Sequence, residues 1–502
     1  MLMASIWVAL GLVSVIELLV FVPLIWPLRR VLAAIVLIAI AILSSLLFVE
    51  RPCLITGLFV LVGAYRIFNM LRIVENRMQR QFLHRVTMRT SLYLLLLQLL
   101  LVSIWRAVVV LRPSDHVWWL VLGIAQLTAG LLLLLTMYRQ VKATLAPQIV
   151  QHFSDHDLPT LTVCVPARNE TEAMTDCLRS IIASDYPKLE VLVLDDCSQD
   201  RTSDIVRDLA HEGVRFIKGT DAPMSWLAKN WAYKRLFDEA NGELLIFCGV
   251  DIRFESHTLR SLVVTMLGSQ RQMISLLPRN VAPKGPGYLQ SSLLQPMRYA
   301  WELCLPRTPL QSPPVLSSCW IAERGLLQRA GGFAAASNKI VPESYFAQVA
   351  AKANAYSFLQ TSDGLAVSSL KDFGDQWDTA VRTRYPQLHR RPELVLLVSL
   401  GQITGLLGPF LLFVVSLCTT QWLLALLSGL AGICVTFVYV RITQLAYQQF
   451  VVRSLWALPF AVLLDISIRH YSMWRYEFSD VIWKGRNVCL PVMHVIPHLP
   501  RI

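Results

Sequence analysis

The sequence predicts a multi-pass α-helical membrane protein with a cytoplasmic, Rossmann-like α/β domain inserted between its spans. Three observations carry that prediction. Of 502 residues, 55% are hydrophobic and only 16% charged, and the mean hydropathy is +0.50, a composition of membrane class. Apolar runs of spanning length gather at the two ends of the chain, around a more polar middle. Within that middle, short apolar strands alternate with helical periodicity, as in a largely parallel, doubly wound sheet. The expected division is 1–140, five transmembrane helices; 151–391, the cytoplasmic domain, with an interfacial helix near 287–305; and 392–502, two or three transmembrane or re-entrant helices and a basic tail.

The N-terminal runs cover residues 4–26, 31–49, 54–74, 92–111 and 117–138. The first lacks an early basic region and a small-residue cleavage site, so it is expected to be a retained span. Arg29 and Arg30 follow the first run, Arg72, Arg77, Arg80, Arg85 and Arg89 surround the loop between the third and fourth, and Arg139 and Lys142 follow the fifth. Basic loops face the cytoplasm, which places the N-terminus outside and everything after residue 138 inside an inner (plasma) membrane. Glu17 and Arg66 fall within spans, where each would cost at least about 2.5 kcal/mol facing lipid. They are expected to pair with each other or to line a polar cavity, with snorkelling as the bland alternative.

The net charge of +12 comes without a basic run interleaved with aromatics. Cytoplasmic loops and anionic headgroups account for it, and no nucleic-acid partner is expected. Ten cysteines are scattered without zinc-ligand spacing, so reduced thiols are expected.

In the polar middle, Leu161-Thr-Val-Cys-Val165 reads as a buried strand and Pro166-Ala-Arg-Asn-Glu170 as the turn at its carboxyl end. Val191-Leu-Val-Leu194 is a second strand, running into Asp195 and Asp196, and Glu243 to Asp251 holds another. Carboxyl ends of strands are where such sheets bind ligands, although an acidic pair there is also an ordinary helix cap. Residues 287–305 mix aromatic and polar side chains, which suits either the membrane interface or a core helix. Beyond Pro392, two spans at 394–417 and 422–440 precede an apolar stretch at 455–468, interrupted by Pro459 and Asp465. At about 14 residues it is short of the roughly 20 needed to cross. If it is re-entrant or interfacial, the tail with Lys484 and Arg486 stays inside; if it spans, the tail is outside.

Glu170, Asp196 and Asp251 thus end strands of one sheet, where carboxylates can accept hydrogen bonds from a ribose or a base, or hold a cation against a diphosphate. The order of Val163 to Glu170, the Asp-Asp-x-Ser-x-Asp-x-Thr segment at Asp195 to Thr202 and the strand ending at Asp251 resembles the family 2 inverting glycosyltransferases and their GT-A fold. Pro223-Met-Ser-Trp-Leu-Ala-Lys-Asn-Trp-Ala232 and Gln376-Trp-Asp-Thr-Ala-Val-Arg-Thr-Arg-Tyr-Pro-Gln-Leu388 are similar to segments of its hopene-associated and carotenoid-type lipid glycosyltransferase branch. The resemblance spans about residues 160 to 410 and leaves the N-terminal spans unexplained.

That resemblance implies a UDP-sugar donor and a lipid acceptor. Pro166 would be among the nucleotide-sugar contacts, with Glu170 at the ribose, Asp196 at the uracil and Lys229 by the sugar diphosphate; Arg382, with Arg384 beside it, would neutralise the leaving diphosphate. Trp226 and Trp377 would line the acceptor pocket. The catalytic base would be Glu343 in Val341-Pro-Glu-Ser-Tyr-Phe-Ala347, after the lead-in Cys319 to Phe333, where an ordinary helix start is the alternative.

Two departures stand out. The family's metal-binding Asp-x-Asp reads Gly249-Val-Asp251, leaving Asp251 alone for a divalent cation (Mn or Mg), and the acidic pair before the base reads Pro342-Glu343. The processive synthases' Gln-x-x-Arg-Trp is absent as such. The expectation is therefore transfer of a single sugar to a lipid hydroxyl with inversion. The alternatives are a non-catalytic membrane scaffold or lipid-binding protein and a processive polysaccharide synthase.

Overall fold

A computed structural model describes residues 2–22, 27–50, 53–74, 80–111, 115–147, 149, 153–223, 225–281, 287–305, 313–447 and 454–488. Five N-terminal helices, α1 (Leu2–Leu19), α2 (Arg29–Glu50), α3 (Leu54–Val74), α4 (Arg80–Leu111) and α5 (Asp115–Ala143), precede the domain. Among the described residues, five helical stretches are long and apolar enough to cross a membrane: Arg29–Val49, Ile55–Val74, Val117–Ala143, Pro392–Cys418 and Trp422–Tyr447. The runs at 4–26 and 92–111 contribute the shorter apolar helices Ala9–Leu19 and Thr87–Leu101, with residues 23–26 of the first run outside the described residues. Glu17 and Arg66 do pair: Arg66 Nε donates to Glu17 Oε2 at 2.9 Å and its Nη1 to Gln98, joining α1, α3 and α4 through a fully buried contact.

The α/β domain follows as β1 (Leu161–Ala167), α6 (Thr171–Ile182), β2 (Leu189–Asp195), α7 (Thr202–Asp208), β3 (Val214–Lys218), α8 (Ala228–Glu239), β4 (Leu244–Cys248), β5 (Ile252–Phe254), α9 (Thr258–Gly268), β6 (Met273–Leu277), β7 (Arg279–Asn280), α10 (Gly287–Leu303), β8 (Cys319–Glu323), α11 (Arg324–Arg329), α12 (Pro342–Lys352), β9 (Tyr356–Gln360), β10 (Val367–Ser369) and α13 (Phe373–Thr383). Its main sheet has the order β3-β2-β1-β4-β8-β6-β9. Only β8 runs against the others, pairing antiparallel with β4 and β6. Both faces are buried, which is why the strands read as continuous apolar runs. Val163, Val193, Ile246 and Ile321 pack on one face; Leu192, Leu245, Phe247 and Trp320 pack on the other. A small sheet, β5-β10-β7, lies beside the carboxyl end of β4 and brings Ser369 to Asp251.

The segment near 287–305 is not an interfacial helix in its described part. Leu294, Met297, Tyr299 and Leu303 of α10 are buried between domain residues such as Leu277 and Phe358 and the C-terminal helices. These buried side chains have protein neighbours on both sides, while Leu293, Ala300 and Trp301 of the same helix are half-buried.

After the domain, α14 (Pro392–Gln402) continues through one widened turn, Ile403–Leu407, into α15 (Gly408–Cys418), followed by α16 (Trp422–Tyr447) and α17 (Ser454–Phe478). The expectation of about 14 residues for the last helix fails: α17 has 25 residues and passes through both Pro459 and Asp465. Asp465 does not break it because Arg384, Arg469 and Gln402 satisfy its carboxylate on the buried side. Trp456, Phe460, Leu463, Tyr471 and Trp474 are exposed along one face, while Ala461, Asp465, Arg469, Ser472 and Tyr476 are buried on the other. That amphipathic pattern suits a helix lying in the interface. Near its start Ala457, Leu458 and Ala461 pack against Val435 and Tyr439 of α16 and Met297 of α10. Beyond Phe478, β11 (Ile482–Trp483) and β12 (Arg486–Asn487) form a hairpin that reaches the ends of β1 and β2. The basic tail through residue 488 therefore lies on the domain's side.

Stranding a buried charge is costly, so Arg66→Leu or Glu17→Leu alone is expected to destabilise the protein by about 3 to 5 kcal/mol, and the double replacement by much less. Thermal unfolding of the detergent-purified variants checks this; single variants as stable as the parent would show that the pair contributes nothing.

Candidate functional site

Two turns at strand ends build the floor of the site. After β1, Asn169 takes φ 51°, and after β2, Cys197 takes φ 56°. Each turn holds the other. Ser198 Oγ accepts from Asn169 N at 3.0 Å, Asn169 Oδ1 accepts from Gln199 N at 3.0 Å, and Thr202 Oγ1 accepts from Glu170 N at 2.8 Å. Asp200 in turn receives the Thr202 hydroxyl at 2.6 Å. The spacing Asp-Asp-x-Ser-x-Asp-x-Thr thus places a hydroxyl under each turn residue that needs an acceptor.

The two adjacent acids divide their tasks. Asp195 accepts from Ser198 N at 3.2 Å and from Ser203 Oγ at 2.6 Å, tying the turn to the start of α7. Asp196 faces the pocket, where Arg486 Nη1 contacts both its carboxylate oxygens at 2.8 Å.

The pocket itself has a volume of about 280 Å³. Pro166, Glu170, Asp196, Lys229, Asp251, Arg382 and Arg384 all line it, so the residues singled out for nucleotide and metal come together. Arg168, Arg298, Lys371, Trp483 and Lys484 line it too and were not singled out. For the hairpin residues the sequence carried only a basic tail, without an indication of where it folds. Lys484 pairs with Glu170, and Arg382 stacks over the Trp483 ring at 4.6 Å. Burial raises the carboxyl pKa values of Glu170 and Asp196 above their ordinary values, although Lys484 and Arg486 pull the other way.

Arg384 reaches the pocket wall, but its Nη2 is committed to Asp465 Oδ1 at 2.7 Å. Trp226 and Trp377 line neither this pocket nor the apolar cavity described next. Trp226 packs edge to face on Trp231, and Trp377 lies against Phe373 of its own helix and Tyr471 of α17.

A second cavity, of about 940 Å³, opens between the domain and the C-terminal helices. Met297, Trp301, Val341, Tyr345, Val398, Val435 and Leu458 make most of it apolar. Glu343 lines neither space but has neighbours on both. It is fully buried at the start of α12, neither carboxylate oxygen has a hydrogen-bond partner among the described residues, and its neighbours Val341 and Ser344 face the apolar cavity. Its charge also acts on Lys229, which lines the charged pocket.

Asp251 accepts from Ser369 Oγ at 2.8 Å and lies 3.8 Å from Lys371 Nζ. Among the described residues no group of three or more His, Cys, Asp or Glu is placed to hold a metal ion.

Burial lowers the Lys229 pKa to about 8, against the opposing pull of Glu343. Lys229 is therefore a cation below that pH and loses its proton as pH rises through it. Acylation of Lys229 across a pH series, read by mass spectrometry, is expected to reach half its maximal rate near pH 8, whereas exposed lysines follow their usual value of about 10.4. A profile coincident with the exposed lysines would show that its surroundings do not penalise the charge.

Comparison with known proteins bears on this arrangement. The Glycosyl transferase family 2 model matches residues 162–330. The "Probable glycosyltransferase YdaM" of Bacillus subtilis is 32% identical over 119 residues, covering 23% of this chain and 28% of that protein. The 4,4'-diaponeurosporenoate glycosyltransferase of Staphylococcus haemolyticus is 27% identical over 127 residues, 25% of this chain and 33% of that protein. The chain thus spans about a third of the length of these relatives. A solved structure of the mannosyltransferase PcManGT from Pyrobaculum calidifontis, in complex with GDP-Man and Mn2+, aligns with 70% of this chain and 95% of its own at 17% identity and a TM-score of 0.39. Residues 162–330, with their two interlocked turns at the sheet's carboxyl edge, are a glycosyl transferase family 2 domain.

Proposed function

We propose that the chain is a membrane-bound glycosyltransferase that moves a single sugar from a UDP-sugar to a lipid hydroxyl, with inversion, at the cytoplasmic face of an inner membrane. The basic loops of the N-terminal region motivate the orientation. One observation carries the chemistry: Glu343 is buried without a hydrogen-bond partner among the described residues, its charge acts on Lys229 of the charged pocket, and its chain neighbours Val341 and Ser344 line the apolar cavity.

In this proposal the ribose and base take over Glu170 and Asp196 from Lys484 and Arg486. The sugar diphosphate lies along Lys229 and Arg382, and the lipid enters through the apolar cavity. Its hydroxyl attacks the anomeric carbon on the face opposite the diphosphate. The new C–O bond forms as the bond to the diphosphate breaks, and Glu343 accepts the hydroxyl proton. Its unpartnered oxygens suit that task, and the buried carboxylate reaches the acceptor once Val341 and Ser344 give way. Trp226 and Trp377 would then act behind the site, through packing. The branch resemblance and the diaponeurosporenoate relative favour a lipid acceptor over a soluble one.

A second reading, a non-catalytic scaffold, draws on the pairing of Glu170 and Asp196 with the chain's own cations.

A panel of UDP-sugars incubated with host lipid extract, read by mass spectrometry, separates the two: a single added hexose mass is expected. Glu343→Gln is expected to abolish transfer while leaving UDP affinity nearly intact. Asp196→Ala is expected to weaken UDP binding by about 1 to 3 kcal/mol through loss of a buried hydrogen bond. Absence of both UDP binding and product would establish the scaffold. Retained turnover in Glu343→Gln would remove that residue from the mechanism.

A further inference from the structure

We infer that this chain neutralises the departing diphosphate with four fixed cations, Lys229, Arg298, Lys371 and Arg382, in place of a divalent metal ion, with Lys371 standing beside the carboxylate that would otherwise hold that ion. The inference rests on the proposed function for the presence of a diphosphate.

The residues present do not fit a divalent cation. Asp251 stands alone where the resemblance expects two carboxylates. Its Oδ2 accepts from Ser369 and faces Lys371 Nζ at 3.8 Å, so an incoming metal would meet a cation already in place. A β-carbon at Gly249 would come 2.5 Å from Asp251 Oδ1, so a side chain there requires Asp251 to turn. The other acids at the strand ends are engaged as well, Glu170 by Lys484 and Asp196 by Arg486. A metal bound in water-poor surroundings needs several oxygen ligands converging on one point; the three strand-end acids each face a cation, and the remaining acids of the wall, Asp375 and Asp378, project from α13 and form no cluster of three with them among the described residues.

The same pocket suits a polyanion. Lys229, Arg298 and Arg382 line it without an ion-pair partner among the described residues, and Lys371 joins them. The four are close enough to disfavour one another's charge: Arg382, Lys371 and Arg298 all lower the proton affinity of Lys229, and Arg298 and Arg382 lower that of Lys371. Like charges so arranged repel until an anion enters, and an anion of two or three charges relieves all of them at once. A divalent cation would add to the repulsion. When the C–O bond to the diphosphate breaks, its electron pair stays on the diphosphate oxygen, and these four side chains face the charge that develops there.

The test is calorimetric titration of the full-length protein in nanodiscs with UDP, GDP, CDP and dTDP, in EDTA and then in MnCl2, with the nucleoside of the binding diphosphate as a control. The expected result is an affinity within about twofold in the two conditions and, in Lys371→Met, a loss of about tenfold for the diphosphate with nucleoside binding unchanged. Lys371→Arg, which keeps the charge, should retain most of the affinity. Binding at least about tenfold tighter with manganese, or a Lys371→Met protein that binds the diphosphate like the parent, would overturn the inference. If Lys371→Met has lost nucleoside binding and so its fold, the comparison of EDTA with manganese in the parent decides alone. Failure of every diphosphate to bind in either condition would instead remove the proposed function.

Discussion

Charge balance around one pocket governs how this protein is assembled. Seven basic side chains line the space at the ends of β1, β2 and β4, and unpaired charge in a recess walled by protein is expensive. The chain answers from several directions. Asp251 meets Lys371 beyond β10, Glu170 and Asp196 meet the C-terminal hairpin, and Arg384 meets Asp465 of α17. Partners more than 280 residues apart in sequence close the same site. The C-terminal segment is thus part of the pocket wall.

The membrane-side helices position the chemistry as well as anchoring it. Ser472 Oγ donates to Val381 O, and Tyr476 Oη donates to Arg382 O at 2.8 Å, so α17 fixes the end of α13 from which Arg382 projects. Arg72 of α3 holds Glu477 at 2.8 Å, and Thr90 of α4 donates to Glu393 at 2.9 Å. Through these contacts the N-terminal helices brace α14 and α17. Their presence has a structural account here that the family resemblance did not supply: they bury the polar side of the helices that wall the site.

Glu343 shows how burial and access are opposed at such a site. A carboxylate without hydrogen-bond partners is costly in a protein interior, yet an acceptor hydroxyl needs an oxygen that is not already engaged. Its place at the first turn of α12, where backbone N–H groups favour a negative charge, together with the nearby Lys229, offsets part of that cost. In the proposed reaction the apolar cavity alongside takes the chain of the lipid acceptor.

Local sequence by itself determined β1 to β4, the long apolar helices and the two turns, because those depend on neighbours a few residues away. Val191 to Leu194 is apolar at every position since both faces of its strand are covered, and the hydroxyls of Ser198 and Thr202 lie at the spacing their hydrogen bonds require. The pairing of Glu17 with Arg66 was also legible, since each charge needed a partner inside the membrane. What local sequence left open was which of two adjacent acids caps and which faces the ligand. One residue of advance along the chain turns the carboxylate from the start of α7 to the pocket, and only the folded turn shows which is which. It was equally silent on Arg298, Lys371, Lys484 and Arg486, single basic residues in unremarkable surroundings. Their roles come from long-range pairing with Asp251, Glu170 and Asp196 or from convergence on a shared pocket, and tertiary structure alone decides that, because such contacts leave no periodicity in the chain.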